Sequence, residues 1–161
     1  ISPAVMPIVF AVALMFGGIT QFIAGLIQIR SGKSFAGMVF AGFGAFWMSL
    51  FAYAEWFART VPPAQAGHAL GLLLYAFGIF GVVILVTSLR SNVFIVVITV
   101  FVVSSLFLCA AGSYGAHPTL THWGGYTGLI VAALVFYLAL AELCEIVYER
   151  TVLPIWPLSK A

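Results

Sequence analysis

The chain has 161 residues, 64% of them hydrophobic and only 6% charged, with a mean hydropathy of +1.21. A soluble domain is about a quarter charged, and no water-soluble fold of this length has enough interior for so much apolar surface, so lipid must be the solvent for most of the chain. The net charge of +2, from six basic and four acidic residues with no Asp, excludes nucleic acid as a partner, because that needs clustered Lys and Arg. In chain order, charges mark off five apolar stretches. The first runs over 6–29 and stops at Arg30 and Lys33; the second covers 35–57 and carries only Glu55, at its far end; the third, 68–89, stops at Arg90; 93–112 and 123–148 complete the set. Each predicts a transmembrane helix, since about 20 residues cross about 30 Å of hydrocarbon. The two-residue alternation of a membrane barrel is missing, and in lipid every backbone group needs an internal partner, which leaves helices. The expected fold is all-α: a polytopic membrane helical bundle, one transmembrane domain over residues 1–161.

Successive spans reverse direction and divide the loops between two sides. One side holds Arg30, Lys33, Arg90, Arg150 and Lys160, the other Arg59 alone. Basic residues accumulate on the cytoplasmic side, so the tail after Tyr148 is expected in the cytoplasm of a multi-pass inner or plasma membrane protein. Ile1 then falls outside. The chain opens on Ile1 directly before a full apolar span, without the basic start and short apolar core of a signal peptide, and one further helix is expected ahead of it. Small residues recur every four positions: Gly37, Ala41, Ala45 and Ser49 in the second span, Gly124, Gly128 and Ala132 in the last, Gly17, Gln21 and Gly25 in the first. Such stripes let helix backbones approach closely in a membrane.

The residues offer little for catalysis, which needs a nucleophile, an acid–base pair or a metal cluster brought together. Three of the four acids, Glu142, Glu145 and Glu149, sit at the cytoplasmic end of the last helix; His68, His117 and His122 sit at outer helix ends or in loops. No enzyme, no cofactor and no metal site is expected: a haem would need histidines within the spans, and His117 with His122 lacks a third ligand. Cys109 and Cys144 form no CxxC pair and are expected to be buried, inert thiols. Polarity inside the spans is limited to Thr20, Gln21, Gln28, Ser49, Thr87, Ser88, Thr99, Ser104, Ser105, Thr127 and Glu142. An amide at depth in lipid faces protein or water, so Gln21 marks either a pore that replaces part of a small anion's hydration or an interhelical hydrogen bond. Ser105 is a candidate companion donor. Glu142 lies eight residues before Arg150, about 12 Å along a helix, where it is either a proton acceptor or the partner of Arg90 or Arg30.

Several segments, in register along nearly the whole chain, resemble one family. Gly17-Gly18-Ile19-Thr20-Gln21-Phe22-Ile23-Ala24-Gly25 is similar to the glycine-pair-to-glutamine signature of the acetate uptake transporter family, the bacterial succinate–acetate permeases. Gly32-Lys33-Ser34-Phe35 resembles its Gly-Asn-Thr-Phe turn, and Gly42-Phe43-Gly44-Ala45-Phe46-Trp47 its Tyr-Gly-Ser-Phe-Trp segment. Gly125-Tyr126-Thr127-Gly128, Tyr137-Leu138-Ala139 with Glu142, and Arg150-Thr151-Val152-Leu153-Pro154 follow in matching order. The resemblance implies a six-helix protomer with a solute path through each subunit, assembled as a homo-hexamer, whose first helix carries an Asn-Pro-Ala-Pro motif. Ser2-Pro3-Ala4 stands too close to Gly17 to be that motif. The resemblance further implies a constriction built from an aromatic residue of that first helix, a tyrosine at the position of Phe43 and a leucine at that of Val102; both positions depart from the pattern, as does Glu145, where asparagine is usual. The expected function is a channel or proton-linked transporter for a small carboxylate solute such as acetate, with succinate or lactate as further substrates. A structural or accessory membrane subunit without transport activity and an ammonium exporter are the alternatives.

Overall fold

The computed structural model describes residues 5–158, so Lys160, counted above for orientation, and Ser2-Pro3-Ala4 lie outside the described residues. Five helices among them are long and apolar enough to cross a membrane: α1 Met6–Arg30, α2 Ser34–Thr60, α3 Pro63–Ser88, α4 Val93–Tyr114 and α5 Pro118–Tyr148. No strand occurs among the described residues, only an isolated bridge between Asn92 and Pro157. Large apolar side chains lie outermost: Phe16, Phe136 and Ile146 keep 73%, 76% and 73% of their surface exposed. In water each would forgo about 25 cal/mol per Å² of apolar area; against acyl chains it forgoes nothing. The contacts group into two compact units, Ile1–Ala66 and Gly67–Ala161.

In the first unit α1 and α2 run antiparallel through a short turn. The turn ends α1 with paired bonds from Lys33 N to Gln28 O (2.9 Å) and from Gly32 N to Ile29 O (3.1 Å), the Schellman pattern that satisfies carbonyls left over at a helix end. It needs a left-handed residue, and Gly32 supplies it at φ +78°. Beyond the turn the helices touch backbone to backbone. A Cβ on Gly37 would stand 2.8 Å from Ile29 N, one on Gly25 2.8 Å from Ala41 Cα, and one on Gly44 2.7 Å from Phe22 N. These contacts step along the two helices in opposite senses, as an antiparallel small-residue crossing must. Neither helix is regular throughout. Residues Ala13–Thr20 of α1 and Tyr53–Phe57 of α2 are π-helical, wider turns that concentrate at functional sites. Gly17 lies within the first of them, under the indole of Trp47. The Tyr53 hydroxyl donates to Ala66 O (2.9 Å) and ties the end of α2 to the start of α3.

In the second unit Gly71, Gly78 and Gly81 of α3 take the side chains of Tyr114, Phe107 and Val103 from α4. At the other end of this pair Ser88 Oγ and Thr99 Oγ1 are buried and 3.1 Å apart. Asn92 caps α4, its Oδ1 accepting from Ile95 N at 2.9 Å, one of the side-chain types suited to that position. Helix α5 has 31 residues, roughly 46 Å at 1.5 Å per residue, so it outruns the hydrocarbon. It begins at Pro118, favoured at a first helical position, which places His122 inside the helix rather than in the loop expected for it. The tail folds back: Val93 N donates to Trp156 O (2.9 Å), Leu158 N to Ser91 O (2.8 Å) and the Tyr137 hydroxyl to Pro154 O (3.0 Å). The Phe94 ring stacks with Tyr137 at 4.5 Å and with Trp156 at 5.7 Å.

Candidate solute pathway

Gln21 is the first residue after the π-helical stretch of α1 and is half-buried. Its neighbour Phe22 is the residue against which Gly44 packs, and Gly44 follows Phe43. Gln21 and Phe43 therefore stand at one level of the α1–α2 pair, brought there by the crossing. Val102 and Ser105 lie about one turn apart on α4 and are both half-buried. The four residues thus form two pairs, one in each unit.

The hydroxyls inside the spans are mostly engaged by backbone carbonyls one turn back. Thr87 bonds to Val83 O and Ile84 O, Thr99 to Ile95 O and Val96 O, Ser104 to Val100 O, and Thr127 to Trp123 O and Gly124 O. This is how a hydroxyl avoids standing unpaired in an apolar helix. Ser105 instead reaches across to α5 and donates to Gly124 O at 2.7 Å. A hydroxyl has a single hydrogen, so while that bond stands Ser105 offers a solute only acceptor lone pairs. The Gln21 amide has no hydrogen-bond partner among the described residues, which leaves its two N–H donors available.

Glu142 is exposed on α5 beside the buried Ala141, and its helical neighbours Leu143 and Ile146 are also exposed. Cys109 and Cys144 are free and half-buried rather than fully buried. Among the described residues no three His, Cys, Asp or Glu side chains converge on a point that could hold a metal ion. Glu55 stands at the far end of the second apolar run. It lies in the second π-helical segment and lines a cavity of about 330 Å³ with Pro7, Phe10, Ala11, Leu14, Met15 and Phe51. Its signal was being the single acid of the first two spans.

Comparison with known proteins gives these features a context. The sequence model of the GPR1/FUN34/yaaH family matches residues 4–160. The succinate-acetate/proton symporter SatP of Escherichia coli (strain K12) is 31% identical over 149 residues, 92% of this chain and 79% of the relative. Ammonia transport outward protein 2 of Saccharomyces cerevisiae is 29% identical over 139 residues, 83% of this chain and 49% of the relative. Among solved structures, the bacterial acetate channel SatP superposes with a TM-score of 0.87 at 29% identity, covering 94% of this chain and 84% of that one.

Proposed function

The chain belongs to the GPR1/FUN34/yaaH family, and from that membership we propose that it carries acetate and similarly small monocarboxylates across a cell membrane, as a channel or together with a proton. SatP and the yeast ammonia protein are named for moving solutes; this chain is a membrane transport protein, not an enzyme. One observation carries the reading: Gln21, half-buried at membrane depth beside a widened stretch of α1, has both amide donors without a partner among the described residues. A carboxylate cannot enter hydrocarbon stripped of water, and an uncharged donor pair replaces part of its hydration without holding it too tightly to leave. Phe43, at the same level, offers the apolar surface that suits a methyl group. In the second unit Val102 of α4 offers aliphatic surface of its own, and Ser105 holds that part of α4 against α5 through Gly124 O. The basic-residue count supports a cytoplasmic C-terminus, and the likeness to the permeases supports assembly as a homo-hexamer.

Purified native protein in liposomes is expected to admit labelled acetate above the rate of empty liposomes, and Gln21→Leu, which keeps the volume and removes the donors, is expected to lose most of that flux. No flux above empty liposomes, with the protein folded and inserted, would reduce the chain to a membrane scaffold. The yeast relative named for ammonia transport gives the second reading. Ammonia in place of acetate in the same vesicles separates the two, since the first reading requires acetate to be the faster solute.

A further inference from the structure

The cavity at Glu55 belongs to the first unit and lies at the opposite end of α1 and α2 from the Arg30–Lys33 turn. Pro7, Phe10, Ala11, Leu14 and Met15 form its α1 wall, and Phe51 and Glu55, one turn apart, its α2 wall. At about 330 Å³ it reaches the lower end of the roughly 300–1,000 Å³ usual for small-molecule sites. Glu55 is its one titratable lining residue, is half-buried, and has no hydrogen-bond or ion-pair partner among the described residues. Of the charged and titratable groups near it within this unit, Arg59 is exposed about one turn further along α2, and the Tyr53 hydroxyl is already bonded to Ala66 O. The wall contributed by α1 carries no charge. An open, apolar groove with a single carboxyl group in its lining has a definite chemical preference. It accepts an apolar tail, and it repels a carboxylate of like charge unless a proton lies between the two groups. With that proton in place the two carboxyls form a charge-assisted O–H···O bond, about twice as strong as a neutral one.

We propose that this groove is an entry site for a short-chain monocarboxylic acid, held by one proton shared between the solute's carboxyl group and Glu55. The proton comes from the aqueous phase with the solute and leaves with it as the neutral acid, so Glu55 ends the cycle as it began. The inference rests on the transport reading above and gives it a coupling element distinct from Gln21, on which no proton is exchanged.

The test is protein-dependent acetate uptake into proteoliposomes at fixed total acetate between about pH 5 and 8, with empty-liposome uptake subtracted. One obligatory proton per solute makes wild-type uptake fall with rising pH by up to about tenfold per unit. In Glu55→Gln the amide donates to the bare carboxylate, no proton is needed, and the slope is expected to flatten to under about twofold per unit. A wild-type slope retained in Glu55→Gln overturns the proposal. Should that variant fail to insert, Ala11→Trp fills the groove from the α1 wall and leaves Glu55 in place. It is expected to raise the half-saturating acetate concentration at least about fivefold, and an unchanged value overturns the proposal equally. Protein-dependent flux in the wild type with no change in either variant removes this inference alone; no wild-type flux at all removes the transport reading and this inference with it.

Discussion

Gly44→Ala inserts one methyl group where α1 and α2 touch most closely. An ideal Cβ there would stand 2.7 Å from Phe22 N, 2.8 Å from Phe22 Cα and 2.9 Å from Phe22 Cβ. Carbon atoms rest at about 3.5–4.0 Å, so the helices must part by roughly 0.7 Å or more, and backbone atoms cannot swing aside as a side-chain tip can. Overpacking of this kind costs about 1–3 kcal/mol. The substitution also gains roughly 0.8–1.0 kcal/mol of helix propensity, which would blur a single measurement. Gly125→Ala supplies the reference: Gly125 is also inside a helix, and nothing lies within 4 Å of its Cβ position. The difference between the two variants, about 1–3 kcal/mol, isolates the contact. Reversible unfolding in mixed micelles measures it, and acetate flux should fall in Gly44→Ala alone, because Gln21 and Phe43 flank the disturbed contact. Equal stability of the two variants, within about 0.5 kcal/mol, would refute the antiparallel register of α1 and α2.

Two further predictions concern selectivity and the tail. Phe43→Tyr adds a donor at the level of Gln21, worth about 0.5–1.5 kcal/mol, and Val102→Leu adds a methylene; both are expected to shift uptake from lactate towards acetate, read as the ratio of the two rates in competition, and an unchanged ratio in both variants would disprove the gate assignment. Trp156→Ala removes the outer ring of the Phe94 stack, worth about 0.5–1.5 kcal/mol, and hydrogen exchange at the Val93 and Leu158 amides should quicken several-fold, whereas unchanged exchange would mean that the ring does not hold the tail.

The spans were legible because charges at Arg30, Lys33, Arg90 and Arg150 punctuate apolar runs, and lipid makes that pattern decisive. Close packing was legible as a stripe, though not in its detail. Gly37 and Ala41 lie in the α1–α2 contact as the spacing suggests, and a further close approach falls at Gly44, outside the four-residue spacing. In α5 a Cβ on Gly124 would run into Cys109 and Ser105, one on Gly128 would come only to 3.4 Å of Ser105 Oγ, and Ala132 is exposed. A four-residue repeat drifts around a helix of 3.6 residues per turn, so its later members leave the contact face. The π-helical stretches at Ala13–Thr20 and Tyr53–Phe57 left no trace in the sequence, since in a helix apolar on every side no polar face reports the period. The docking of Trp156 and Leu158 on the start of α4 was equally hidden: it joins residues more than sixty apart, and local pattern carries no record of such contacts. Of the candidate residues, Gln21 was marked by its cost in lipid, Phe43 and Val102 by the resemblance alone. The setting of Glu55 came only from the packing of α1 against it.

On the transport reading Gln21 faces a watery solute route and not acyl chains. Accessibility at that position tests it most directly, in a background with Cys109 and Cys144 replaced by Ala. Gln21→Cys is expected to react with a small, charged methanethiosulfonate reagent and to be protected by acetate, while Phe16→Cys, at a position exposed on the apolar surface, stays unreactive. A Gln21→Cys as unreactive as Phe16→Cys, or one that acetate leaves unprotected, would contradict the account.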